Sequence, residues 1–503
     1  MVTGSSSSLV RGSLLFKNSI WSIVAQILPM FIGLLTIPYL LEGLGLEKFG
    51  ILALAWMTIG YFSLFDFGLG RALTKLVAEE ISKPNKCGIN VMSWTAITLM
   101  FGLSTIGSLI LFALTPWIIN EVLIVPDKII KETEWAFYLL ALTTPIVVVT
   151  SGFRGILEAY QRFDLIAFVR IPMGVWTFLG PLVVLFFSDN LAAVVSSLVI
   201  GRFIVFFVYF ILCRYIVEAI ANFELKYSII KSLFTFGGWM TVTNIVGPMM
   251  VYFDRFFIGS FLSLSAVSYY VTPNELITRL SFLPSSIASV LFPAFSFSLA
   301  NDRDHAYKLF ERGTLYVFII MFPIIYLAVI FAEEFLTIWV SPEFANQSTK
   351  ILQWLSIGVL FNSIARVPFA FIQANGRPDI TAKLHLIELP VYLALLWVLL
   401  KSYGVDGVAI AWMIRSSADA ILLFMIVKIG SNKTTNFFIN LTAIISFSLL
   451  VFFLSSYMEL LVSKVLVSFI LIIGFFFYCW KYILKEEEKL KITSCYLRLV
   501  KNG

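Results

Sequence analysis

Charge is scarce in this chain. Asp, Glu, Lys and Arg supply 13% of its 503 residues, against about 25% in a soluble domain, and that shortage excludes a soluble fold of ordinary surface. Histidine is rarer still: only His305 and His385 occur, so no HExxH zinc centre can be built. The four cysteines, Cys87, Cys213, Cys479 and Cys495, lack paired spacing, which predicts free thiols rather than a disulfide framework. No GxxxxGK[ST] loop is present, and the Gly68-Leu69-Gly70 run lacks the third glycine of a dinucleotide fingerprint. No cofactor, no bound metal and no direct use of ATP are therefore expected. Ten-residue alternating segments are missing too, which removes a transmembrane β-barrel.

What the chain has in abundance is hydrocarbon. Hydrophobic residues make up 59% of it, in runs of about 20 that each suffice to cross roughly 30 Å of lipid as a helix. These runs predict an all-α integral membrane protein of about fourteen transmembrane helices. They lie near residues 18–41, 49–69, 93–117, 135–156, 169–187, 191–213, 234–259, 266–296, 312–332, 349–372, 383–401, 405–428, 437–456 and 463–482. With the N-terminus inside, roughly 25 Lys and Arg fall in cytoplasmic segments and about six in outer ones. Arg71, Lys75, Lys83 and Lys86 follow the second helix, Arg154, Arg162 and Arg170 follow the fourth, and the tail beyond Lys481 is basic. Both termini are expected in the cytoplasm. The formal net charge of +6 is then a topology signal, and no nucleic-acid partner is implied. The first apolar run lacks an A-x-A-like cleavage site, so its retention as an anchor is expected.

A repeat runs through the chain. Ala159 to Ala167 and Ala374 to Ala382 both fit A-x-x-R-x-D-[LI]-x-A, and similar offsets of about 215 residues relate Trp21 to Trp239 and Arg202 to Arg415. Six helices per copy would give both copies the same orientation, as two pseudo-symmetric lobes facing each other across a central cavity. The expected divisions are an N-lobe over 1–222, a C-lobe over 223–430, an appended helix pair over 431–484 and a cytoplasmic tail over 485–503.

A charge at the bilayer centre costs at least about 2.5 kcal/mol, so each one in a span needs a partner, a wet cavity or a function. Once loops are assigned, the cations left at depth are all arginine: Arg202, Arg255, Arg279, Arg366 and Arg415. Arginine presents a planar fork suited to phosphate oxygens and keeps its charge when buried. Glu275 stands four residues before Arg279 and Asp419 four after Arg415, which makes structural ion pairs the plain reading for those two. Arg202 and Arg366 have no acid one turn away, and Arg255 adjoins Asp254 on a different helix face. These three are the better candidates for an anion site. Asp254, Glu388 and His385 are candidates for ion or proton coupling or, more simply, for charge balance. The matched loops with Arg162 and Asp164, and with Arg377 and Asp379, fit either cytoplasmic gates or helix-capping turns.

Several short motifs carry a family resemblance. Asn18 to Gly50, with Pro38, Gly43, Gly45 and the Glu47-Lys48-Phe49-Gly50 turn, is followed by the run from Asp66 to Ala72. Leu157 to Asp164, Phe236 to Trp239, the Asp254-Arg255 pair, Tyr269 to Pro273, Phe292-Pro293 and Gly404 to Ala411 continue it over nearly the whole length. Together they resemble the Wzx-type polysaccharide (O-antigen or exopolysaccharide) repeat-unit flippases of the MOP exporter superfamily. The resemblance implies a bacterial inner-membrane transporter, not an enzyme. It would move undecaprenyl-diphosphate-linked oligosaccharide to the outer leaflet by alternating access, among membrane lipids and alongside a polysaccharide polymerase and a chain-length regulator. Arg202, Arg255 and Arg366 would hold the diphosphate, with Arg279 and Arg415 setting the wider field. Lipid II flippases resemble one another in a charged pair in the first helix, where this chain offers Asn18, Gln26 and prolines. A cation-coupled multidrug or metabolite antiporter is the alternative, and it would want an acidic cavity. A glycan polymerase would want a larger outer loop than those near 118–134 and 333–348.

Overall fold

The computed structural model describes residues 12–61, 69–81, 88–160, 162–215, 253–429 and 460–483, together with residues 220, 222–227, 230, 249–250, 486 and 489. No strand occurs among them. Ten stretches of the described residues are long and apolar enough to span a membrane, and they coincide with the apolar runs of the sequence. Two of the ten are bent pairs. Helix α1 (Gly12–Tyr61) breaks at Gly45 (φ 74°, ψ 165°) and α13 (Pro378–Ile429) at Gly404 (φ 60°, ψ −136°), where the sequence predicts the turns between helices one and two and between eleven and twelve. The expected seventh helix lies mostly, and the thirteenth wholly, outside the described residues. Of the cysteines, Cys213 and Cys479 are free and buried; Cys87 and Cys495 lie outside the described residues.

The remaining helices are α2 (Leu69–Ile81), α3 (Gly88–Trp117), α4 (Ile130–Ala159), α5 (Phe163–Leu185), α6 (Leu191–Tyr215), α7 (253–261), α8 (Leu264–Thr278), α9 (Phe282–Asn301), α10 (Arg303–Ile330), α11 (Ala332–Trp339), α12 (Pro342–Ala374) and α14 (Leu461–Tyr478). Their starts follow ordinary capping chemistry. Ser263 accepts from the Ala266 N–H at 3.0 Å, and Ser341 accepts from the Phe344 N–H at 3.2 Å with Pro342 in the first turn. Helices α2 and α11 fall where the sequence reading has loops. Each is too short to span, and each buries one stripe: Leu69, Ala72, Leu73 and Val77 of α2 join the core against α3 and α4, while Ala332 and Leu336 of α11 are buried.

Two compact units emerge from the internal contacts. The first comprises Met1–Phe282 with Ala382–Ala411, the second Leu283–Thr381 with Trp412–Gly503. In the first, α1 packs on α5 and α8, and α4 on α3 and α6. Hydroxyls along these helices donate back to carbonyls one turn earlier, as Thr36 does to Ile32 at 2.9 Å and Thr177 to Met173 at 2.9 Å, so they need no partner in lipid. Outward positions such as Phe101, Leu109, Phe168 and Ile204 are exposed and apolar, as a lipid-facing surface requires.

In the second unit, α10 packs on α12, and α14 docks on α10. The Phe475 ring lies 4.7 Å from that of Phe322, Ser468 meets the Tyr326 hydroxyl at 3.3 Å, and Lys464 pairs with Glu334 at 2.6 Å. Lys464 is buried. The sequence reading leaves no lysine at depth; this one is accommodated because a carboxylate from the end of another helix meets it.

The two copies of the repeat motif fold alike. The Arg162 N–H donates to the Leu157 carbonyl at 3.0 Å, and the Arg377 N–H to the Ile372 carbonyl at 3.2 Å, each closing the preceding helix. Each arginine then grips the aspartate two residues on through Nε and Nη2: Arg162 to Asp164 at 3.0 and 3.0 Å, Arg377 to Asp379 at 3.1 and 3.4 Å. Hydrogen bonding to Asp164 and to Asp379 raises each guanidinium above its ordinary pKa.

Candidate functional site

A cavity of about 380 Å³ opens in the first unit among α1, α4, α5 and α6. Its cationic wall comprises Arg154 of α4, Arg170 of α5, Arg202 of α6 and Arg279, which follows α8. No acid is among its described lining residues. Thr150, Ser151, Thr177 and Tyr209 add hydroxyls to a wall otherwise built from Val147, Val148, Met173 and similar side chains. A second chamber of about 150 Å³ shares Ile59, Thr177, Phe178, Arg202 and Arg279 with the first, and adds Trp56, Arg255 and Glu275. Five arginines thus face one glutamate across the two chambers.

Arg202 is the cation with the least support. Its Nε is buried without a hydrogen-bond partner, and it makes no ion pair among the described residues. A guanidinium kept in a membrane helix without a carboxylate needs water or an anion. Arg279 is braced on both sides: its Nη2 donates to Glu275 Oε2 at 2.8 Å, and its guanidinium carbon stands 5.8 Å from the centre of the Phe178 ring. Phe178 also meets Trp56 edge-on at 5.3 Å, and the Trp56 N–H is buried with no acceptor.

Arg255 is the most buried of the five, 3% exposed. Its Nη2 donates to Glu275 Oε1 at 3.0 Å and to Asn274 Oδ1 at 3.2 Å, both on α8. Asp254 accepts from the Arg255 backbone N–H at 2.7 Å and from the Tyr270 hydroxyl, is buried, and is not among the described lining residues of either chamber.

The other candidates fall elsewhere. Arg366 and Arg415 belong to the second unit, where Arg366 is exposed and within electrostatic reach of Asp419, and Asp419 stands one turn beyond Arg415. His385, half-buried, and Glu388, buried, sit one turn apart on α13 and line neither chamber. The structure therefore gathers Arg202, Arg255, Arg279 and Glu275, and adds Arg154 and Arg170, which the sequence reading assigns to cytoplasmic ends. The available signal was their position: both lie inside helices, Arg170 two turns into α5. Arg162 and Asp164, like Arg377 and Asp379, stay in their own turns.

The model of a family described as polysaccharide biosynthesis protein matches residues 15–298, and that of a family described as MatE matches residues 240–398. A Shigella flexneri protein carrying the name O-antigen transporter is 33% identical over 413 residues, which cover 81% of this chain and 96% of that protein. Among solved structures, the lipid II flippase MurJ in an inward closed conformation aligns with a TM-score of 0.68 at 16% identity, over 92% of this chain and 99% of that one. An inward-facing multidrug resistance MATE transporter of the MOP superfamily aligns with a TM-score of 0.65 at 14% identity, over 80% of this chain and 96% of that one. Both structural likenesses speak to the fold.

Proposed function

The chain belongs to the polysaccharide biosynthesis protein family of multi-pass membrane transporters, and from that premise we propose that it is a polysaccharide repeat-unit flippase whose substrate is an oligosaccharide on undecaprenyl diphosphate. The observation that carries this reading is the cluster of Arg154, Arg170, Arg202 and Arg279 around the main cavity, with no acid among its described lining residues, although Arg154 pairs with Glu158 at 3.4 Å and Arg279 with Glu275 at 2.8 Å beside it. Such a cluster attracts an anion and repels the organic cations that an antiporter of the same superfamily would take. Arg202, with Arg279 and Arg255 beside it, binds the diphosphate; the hydroxyl-bearing wall accommodates sugar; the prenyl tail stays in lipid. Arg366 and Arg415 extend the field from the other half of the chain, and Asp254, Glu388, His385 and Asp419 balance charge.

Transport runs from the cytoplasmic to the outer leaflet of a bacterial inner membrane, with both termini in the cytoplasm, by alternating access of the lobes 1–222 and 223–430. Arg154 and Arg170, near the helix ends assigned to the cytoplasmic side, meet the headgroup first and Arg202 second. Moving about two negative charges outward, down the gradient of an inside-negative potential, releases about 4.6 kcal/mol per 100 mV, which suffices as a drive. The loops of Arg162 with Asp164 and Arg377 with Asp379 are the cytoplasmic gates. A polymerase and a chain-length regulator act on the delivered unit.

The test is a proteoliposome assay with a fluorescent undecaprenyl-diphosphate-linked oligosaccharide and an impermeant quencher. Protection lost at a protein-dependent rate, and accelerated by a potential of the stated sign, supports the reading. Movement of organic cations in place of the lipid would refute it.

A further inference from the structure

Glu275 is the one acid among the described residues of either chamber, and its two carboxylate oxygens are committed to different guanidiniums. Oε1 takes Arg255 at 3.0 Å and Oε2 takes Arg279 at 2.8 Å. The two contacts differ in kind. Glu275 and Arg279 stand four residues apart along the same stretch of helix and move with it, whereas Arg255 lies on the preceding helix, so its contact with Glu275 links two helices. A carboxylate across two guanidiniums uses the donors and the fork geometry that two phosphate oxygens would use.

We infer that Glu275 is a built-in anion that occupies the headgroup subsite until a polyanionic ligand takes Arg255 from it, and that this competition distinguishes a diphosphate from a monophosphate. The inference rests on the proposed reading of the cavity as a site for a phosphorylated lipid headgroup. A single phosphate displacing the Glu275 carboxylate replaces one anion by another on Arg255, with little net gain. A diphosphate brings a second phosphoryl group for the guanidinium of Arg202, which lines the same 150 Å³ chamber. Only the second ligand offers more than the carboxylate already supplies. A carrier that has lost one phosphate through cleavage of its phosphoanhydride bond is thereby refused. Displacement of Glu275 also removes one of the contacts between α7 and α8, leaving the Arg255–Asn274 and Tyr270–Asp254 hydrogen bonds to hold the two helices together.

The full-length protein in detergent is titrated with farnesyl diphosphate and farnesyl monophosphate, two soluble probes that share a tail. Wild type is expected to prefer the diphosphate by about tenfold or more, and Glu275→Gln to gain about tenfold in monophosphate affinity, so that the preference nearly vanishes. Glu275→Asp, too short to reach both arginines, is expected to gain about threefold, and it serves as the test should the glutamine variant fail to fold. An unchanged monophosphate affinity in the variants, with wild type still binding the diphosphate, overturns the role of Glu275 and leaves the flippase reading standing. Binding of neither probe by wild type overturns the phosphorylated-headgroup reading itself, and this inference with it.

Discussion

Arg202 and Arg415 stand at matching positions of the two sequence repeats and are housed differently. Arg202 lines a cavity with three further arginines and no acid among its described lining residues, while Arg415 has Asp419 one turn beyond it on the same helix. An acid stands one helical turn from Arg415, and none stands one turn from Arg202. An arginine with a resident counterion is a structural charge. An arginine without one is a vacancy for a mobile anion, and the difference between the halves marks where substrate charge is expected to sit.

The sharpest way to break this comparison is to neutralise the two arginines in turn. Arg202→Gln is expected to lower glycan export by about a hundredfold at equal membrane levels, since a buried charge-to-phosphate contact is worth about 2 to 5 kcal/mol, while Arg415→Gln costs less than about fivefold. Equal losses would erase the distinction. Next in size is the gift of a counterion to the copy that lacks one. Val205 lines the cavity three residues after Arg202, and Val205→Glu is expected to reduce export about thirtyfold through an (i, i+3) pair, with Val205→Gln close to wild type. Arg170→Gln comes third: one cation fewer at the entrance is expected to reduce the initial transport rate about tenfold and to flatten its dependence on salt. The smallest effect is reserved for the two matched turns. Exchanging Arg162 with Asp164 preserves their exposed pair, and export within about twofold of wild type is expected, because exposed ion pairs contribute about 1 kcal/mol or less. If the single reversals act additively and the exchange does not rescue them, the turns are caps and not gates.

Much of this could be read from the chain. Apolar runs gave the spans because a bilayer imposes one length on every helix that crosses it, and Arg202 stood out because no acid lies a turn away. The Arg162 and Arg377 turns were visible as a repeated motif. Arg154 and Arg170 were not recognised, because an arginine near the end of a span looks the same in one dimension whether it points to cytosol or into a cavity; only the packing of α4, α5 and α6 decides. The tie between Arg255 and Glu275 was hidden for a related reason. Their side chains meet across twenty positions of sequence and a change of helix, whereas the local rule paired Glu275 with Arg279 alone, which is half of what the carboxylate does. Helix α2 escaped because thirteen residues of mixed polarity look like a loop to any search for spans.

The elbows at Gly45 and Gly404 carry a last consequence. A β-carbon built at either position touches nothing within 4 Å, so neighbours do not forbid a side chain there; chirality does. An L-residue at such positive φ costs about 1 to 3 kcal/mol, whereas its mirror image would rest there without strain. D-alanine introduced by chemical ligation should restore what L-alanine at the same place takes away, and the two bends are in that sense written in handedness alone.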